Sequence, residues 1–149
     1  MKRTLAAVLI VFCLSTTVRA QTESTPSDFL AGIKAAIDRN LGRPYVWGAT
    51  GLKSFDCSGF VWRVLMENGI LMKRTTARKF YMMLKPATRT DQGSFGTLVF
   101  FDDLQHVGII DTPQAFYHAQ VSIGTNRSPM NAFWRNKIYG YRLLPAPEK

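Results

Sequence analysis

The amino-acid sequence predicts an α+β protein, with helices in its first half and an antiparallel sheet in its second. Apolar residues recur at three- and four-residue spacing between Phe29 and Leu84. From Thr97 onward they gather instead in short β-branched and aromatic runs parted by turn residues. Helices that precede the strands, rather than alternating with them, give segregated layers.

The first helix is capped by Ser27 or Asp28, carries Phe29, Leu30, Ile33, Ala36 and Ile37 on one stripe, and closes at Gly42. Gly42 to Phe55 is rich in glycine and aromatics and reads as a structured loop. A second helix runs from near Cys57 to about Asn68, with Asp56 where an N-cap carboxylate belongs. Phe60, Val61, Val64 and Leu65 form its stripe, and Asn68-Gly69 stops it. Thr75 or Thr76 opens a third helix through Ala77, Phe80, Tyr81 and Leu84, which Pro86 ends. Strands are expected at Thr97–Phe101, His106–Ile110, Ala115–Val121 and Lys137–Leu144, with Asp102 to Gln105 as a polar turn.

Residues 1–20 have the form of a signal peptide. Lys2 and Arg3 precede an apolar run from Leu5 to Leu14, and Val18-Arg19-Ala20 offers a cleavage site after Ala20. That run is shorter than the roughly twenty residues a membrane span requires, and Phe12 before Cys13 speaks against lipidation. An exported protein with no membrane span is expected, periplasmic or extracellular. Residues 21–28 read as a polar leader, 29–144 as one domain and 145–149 as a tail. No separate wall-binding domain is recognised.

The chain carries 19 Lys+Arg against 10 Asp+Glu. Loss of Lys2, Arg3 and Arg19 with the leader leaves a net charge of about +6, scattered rather than clustered. This suits polyanionic surroundings such as a cell envelope and gives no sign of a nucleic-acid partner. Of the two cysteines, Cys13 leaves with the leader. Cys57 then has no internal disulfide partner and is a packed core residue, an intermolecular bridge or a reactive thiol.

Its position favours the last. A thiol in the first turn of a helix meets unpaired backbone N–H groups and the positive end of the macrodipole, which lower its pKa when a histidine is also near. Ser58-Gly59 keeps the surroundings small, and the Cys57 N–H is a natural oxyanion donor. Both histidines of the chain, His106 and His118, fall in predicted strands. If Asp111-Thr112-Pro113 is a three-residue hairpin loop, Ile110 pairs with Gln114 and His106 lies opposite His118, on one face of the sheet. A base and a group that orients it would then touch. Two histidines and a cysteine also suggest zinc, but the spacing matches no common finger and a fourth ligand is not evident. Gly48 to Ser54 fails as a phosphate loop, because Lys53 does not directly follow the glycine.

The runs PYVWGATG (Pro44–Gly51), FDCSGFV (Phe55–Val61), LVFF (Leu98–Phe101), HVGII (His106–Ile110) and YHA (Tyr117–Ala119), in this order, resemble the NlpC/P60 cysteine peptidases. RTTA (Arg74–Ala77) and FWRNKIYGYRLL (Phe133–Leu144) extend the similarity to nearly the whole of residues 29–144. The resemblance implies a papain-like fold and hydrolysis of amide bonds in peptidoglycan stem peptides, with the γ-D-glutamyl–meso-diaminopimelate bond as the first expectation. It aligns Cys57 with the nucleophile, His106 with the base and His118 with the third, orienting position. Tyr45, Asp56 and Ser58 are expected around the oxyanion and substrate, Asp56 chiefly as a cap. Gly96-Thr97-Leu98 stands where the family often has Gly-Asp-Leu, and Ala49-Thr50 replaces a Gly-Gly or Gly-Thr. Neither touches a catalytic position.

No metal or organic cofactor is required. Arg74 and Arg78 are read as solvated surface charges before substrate contacts. The alternatives are a related amidase or acyltransferase effector, which an inhibitor or immunity protein would accompany, and a silent wall-binding module. No obligate protein partner is evident.

Overall fold

A computed structural model describes residues 25–49 and 53–145; the expected signal peptide therefore lies outside the described residues. Three helices, α1 (Pro26–Asn40), α2 (Cys57–Glu67) and α3 (Ala77–Met83), precede the strands β1 (Leu98–Phe101), β2 (His106–Thr112), β3 (Ala115–Gln120), β4 (Gly124–Pro129) and β5 (Ile138–Arg142). A single-turn helix, α4 (Ala132–Arg135), joins β4 to β5. The sheet is antiparallel throughout, in the order β4-β3-β2-β1-β5.

The first helix starts earlier than expected. Thr25, not Ser27 or Asp28, is the N-cap: its hydroxyl accepts from Asp28 N at 3.2 Å, while Asp28 accepts from Thr25 N at 3.0 Å. That reciprocal box fills two of the donors a helix start leaves open, and Pro26 brings a preset φ to the first turn. Residues 25–28, expected in the polar leader, therefore belong to α1 and its cap.

The sheet is covered on both faces. Leu98, Phe100, Val107, Ile109, Tyr117 and Ala119 meet the helical layer, where Ile33, Ile37, Phe60, Val64, Leu65 and Phe80 are fully buried. Val99, Phe101, Ile110, Phe116 and Met130 form a second, smaller core under Trp134, Ile138 and Tyr141. Hence β1 has no polar alternation. All four of its side chains are fully buried, each contributing about 1.5–3 kcal/mol of transfer free energy.

The β2–β3 hairpin departs from the expected register. Ile110 pairs with Phe116 rather than Gln114, Thr112 pairs with Ala115, and the ladder shifts between Ile110 and Thr112. β2 continues through Asp111-Thr112, which shortens the loop. The displacement is two residues, an even number, so no side chain changes face. His106 and His118 remain on one side of the sheet, related diagonally instead of directly opposed.

Two elements were not anticipated. β4 (GTNRSP) carries no β-branched residue except Thr125 and holds Gly, Asn and Pro, residues that ordinarily mark loops. Its strand conformation comes from pairing with β3 along six consecutive positions, Ala115↔Pro129 to Gln120↔Gly124. α4, capped by Asn131, is too short to show a period.

Candidate active site

α2 begins at Cys57 because Asp56 caps it. The Asp56 carboxylate accepts from Gly59 N at 2.6 Å and from Ser58 Oγ at 3.1 Å on the helix, and from Gly48 N at 3.0 Å in the preceding loop. Arg74 Nη2 closes the network at 2.5 Å, while its Nη1 donates to Ser58 Oγ at 2.9 Å and to the Thr75 carbonyl. Arg74 is thus neither a solvated surface charge nor free for a substrate carboxylate, because its guanidinium is committed to the helix end. Arg78 is exposed and donates to the Asp103 carbonyl at 2.9 Å. Asp56 and Ser58 are both buried.

Gly59 has a different use from the one its small size suggests. A Cβ there would lie 2.4 Å from the Ala49 carbonyl oxygen, so the missing side chain lets the loop close over α2. The loop is tied at its other end to β4. Gly42 N donates to Thr125 O at 2.8 Å, Thr125 N to Arg43 O at 2.8 Å, and Thr125 Oγ1 to Asn40 O at 2.6 Å. Gly124 has φ 84° and would place a Cβ 2.2 Å from Arg43 O, so glycine is required there twice over. These ties hold Tyr45, which bridges to Phe55, on the wall of the cleft.

The cleft has a volume of about 660 Å³ and is lined by Tyr45, Asp102, Gln105, His106, Gln120 and Trp134, among others. Cys57 is not itself part of the lining; it is 7% exposed and meets the cleft through Gln105. The thiol donates to the Gln105 carbonyl at 3.7 Å, and the Val107 and Ser58 N–H groups face the sulfur. The backbone on both sides of His106 therefore touches the thiol. His106 Nε2 lies 2.8 Å from His118 Nδ1. One face of the His106 ring stacks on Trp134, with centroids 5.6 Å apart and planes at 25°. Behind them, His118 Nε2 lies 2.9 Å from Ser128 Oγ, which donates to Asn126 Oδ1 at 2.8 Å.

Electrostatics depart from the simple helix-end expectation. Burial pushes the Cys57 thiol up to about 11; the Asp56 carboxylate adds to this, while the Val107 and Ser58 N–H groups and Arg74 oppose it. Burial also pulls His106 down to about 4 and His118 to about 3, the latter helped by the neighbouring His106. At neutral pH the site therefore rests as a thiol and two uncharged imidazoles. Desolvation outweighs the helix dipole, whose effect is confined to the first turn. Tyr45, on the cleft wall, is raised by burial and then by Cys57 and Asp56.

The structure gathers Cys57, His106, His118, Tyr45, Asp56 and Ser58 in one region. Trp134, Asn126, Ser128 and Thr125 join them without having been singled out from the sequence. The alternation Asn126-x-Ser128 on a strand was the available signal, hidden because the segment reads as a loop.

The model of the NlpC/P60 family matches residues 42–143. Probable endopeptidase NlpC of Escherichia coli is 31% identical over 121 residues, covering 77% of this chain and 78% of that protein. Probable peptidoglycan endopeptidase LytE of Bacillus subtilis is 34% identical over 105 residues, or 67% of this chain and 30% of LytE. The chain thus spans less than a third of that longer relative. Among solved structures, an NLP/P60-family protein from Staphylococcus aureus superposes with a TM-score of 0.65 at 27% identity, covering 85% of this chain and 44% of the other. With the fold, the helix-end cysteine and the family match in agreement, this chain belongs to the NlpC/P60 family.

Proposed function

We propose that the protein is an exported cysteine peptidase that hydrolyses amide bonds in peptidoglycan stem peptides, acting in the periplasm or outside the cell. The γ-D-glutamyl–meso-diaminopimelate bond is the first candidate. The observation that carries this reading is the thiol at the start of α2, seated against the backbone that flanks His106, with His118 hydrogen-bonded behind it. The relatives named as peptidoglycan and NlpC endopeptidases support the substrate class.

In the proposed reaction His106 takes the Cys57 proton as sulfur attacks the carbonyl carbon, and a tetrahedral oxyanion forms. A thiol and an imidazole that are both neutral at rest support proton transfer concerted with attack, rather than a standing ion pair. The S–H must leave the Gln105 carbonyl for the imidazole when substrate enters. The Cys57 N–H and the Tyr45 hydroxyl are the candidate oxyanion donors. The His106 imidazolium then protonates the departing amine, the C–N bond breaks and a thioester remains. Water, deprotonated by His106, attacks the thioester; a free carboxylate and the Cys57 thiol are regenerated. His118 orients His106 throughout, and Trp134 limits the tilt of its ring.

Digestion of purified peptidoglycan, with mass analysis of the fragments, tests the reading. Wild type should release peptides with a new amino terminus on diaminopimelate, and Cys57→Ala should release none. Identical fragments from both would remove Cys57 as the nucleophile.

A further inference from the structure

Behind His118 the polar chain continues to an end that can only accept. Asn126 Nδ2 donates to the Gly124 carbonyl at 2.8 Å, and Ser128 Oγ donates to Asn126 Oδ1 at 2.8 Å. His118 Nε2 lies 2.9 Å from Ser128 Oγ, and His118 Nδ1 lies 2.8 Å from His106 Nε2. The β3–β4 register sets His118 opposite Asn126 and places Ser128 two residues along, on the same face.

The direction of every bond follows from the terminal carbonyl. A carbonyl oxygen has no proton to give, so the Asn126 NH2 must face Gly124 and its oxygen must face Ser128. That oxygen also only accepts, which commits the serine proton to it. Ser128 Oγ then presents lone pairs to His118, whose Nε2 must carry the proton. A neutral ring holds one N–H, so His118 Nδ1 is bare and accepts from His106 Nε2–H. By the same count Nδ1 of His106 is left as a free lone pair. Reversing the line would turn the Asn126 oxygen against the Gly124 oxygen at 2.8 Å. It would also leave polar groups unpaired where His118 is fully buried and Ser128 is 7% exposed, an arrangement costing about 1–3 kcal/mol for each group.

We propose that Ser128 and Asn126 are positioning residues that set the tautomer of His106 through His118, leaving Nδ1 of His106 as the atom that takes the Cys57 proton. The final clause rests on the peptidase reading; the tautomer assignment does not. The line holds no carboxylate, so it orients the base without lending it a counter-charge.

With two histidines in the chain, ¹⁵N-histidine labelling yields four ring-nitrogen signals that report the tautomers directly. In Cys57→Ala at pH 7, both rings should be protonated at Nε2 and bare at Nδ1. Ser128→Ala removes the acceptor for His118 and should release both rings into the Nδ1–H form. In the enzyme with Cys57 intact, Ser128→Ala should lower kcat by about 10²-fold with KM little changed, and Ser128→Thr, which keeps the hydroxyl, should restore both tautomer and turnover. An Nδ1–H on either ring of Cys57→Ala overturns the proposal, and this spectrum decides the matter even if Ser128→Ala fails to fold. So does a Ser128→Ala protein whose tautomers match those of its parent. Two Nε2–H rings in a wild type that leaves peptidoglycan intact would support the tautomer assignment and overturn the peptidase reading alone.

Discussion

Replacing Asp56 by Asn should make the protein less stable and its thiol more acidic at once. Oδ1 of Asp56 accepts from Gly59 N, Ser58 Oγ and Arg74 Nη2, and Oδ2 accepts from Gly48 N. An amide supplies only one oxygen. If it stays on the helix side, the new NH2 faces the Gly48 N–H, two donors meet, and that loop bond is lost. The three remaining bonds fall from charged to neutral strength, and Arg74 loses its counter-charge. Together these losses amount to about 3 kcal/mol, which for a domain of this size lowers the thermal midpoint by about 10 °C. The thiol responds in the opposite sense. Asp56 is the second cause, after burial, that holds Cys57 up at about 11, and Arg74 opposes it. Removing the negative charge therefore moves the onset of iodoacetamide alkylation to lower pH. Arg74→Gln separates this from loosening of the site, because it breaks the same ion pair yet should move the onset to higher pH. An unchanged melting midpoint in Asp56→Asn, or onsets that shift the same way in both variants, would refute the reasoning.

Two further outcomes follow from the site. His106 and His118 are depressed to about 4 and about 3 by burial, below their ordinary value near 6.5. Their contribution to stability is therefore complete above about pH 6.5 and is lost progressively as pH falls toward about 4 and then about 3. Urea midpoints measured from pH 7 to pH 4 should decline, and His118→Gln should flatten the decline. Gly59→Ala would drive a Cβ to within 2.4 Å of the Ala49 carbonyl; backbone cannot swing aside as a flexible side chain does. The cost should be about 1–3 kcal/mol, with faster amide exchange at Gly48 and Ala49. A melting midpoint equal to wild type would mean that the loop does not close on α2 as described.

What the sequence alone determined is what depends on neighbours along the chain. Asp56 before Cys57 and an apolar stripe after it make a capped helix with the sulfur in its first turn, whatever packs nearby. The two histidines share a face because strand side chains alternate with period two, so even a register misjudged by two residues left them together. Tertiary structure decided what depends on groups distant in the chain. Desolvation of Cys57 arises where α2 meets β2, and it reversed the pKa that the helix end by itself would favour. Arg74, one of several scattered basic residues by sequence, became the partner of Asp56 only through the approach of residues eighteen apart. β4, poor in strand-forming residues, is held by its ladder to β3, and only there do Asn126 and Ser128 line up behind His118. Local propensity cannot report that alignment, because the pairing that stabilises it comes from another strand.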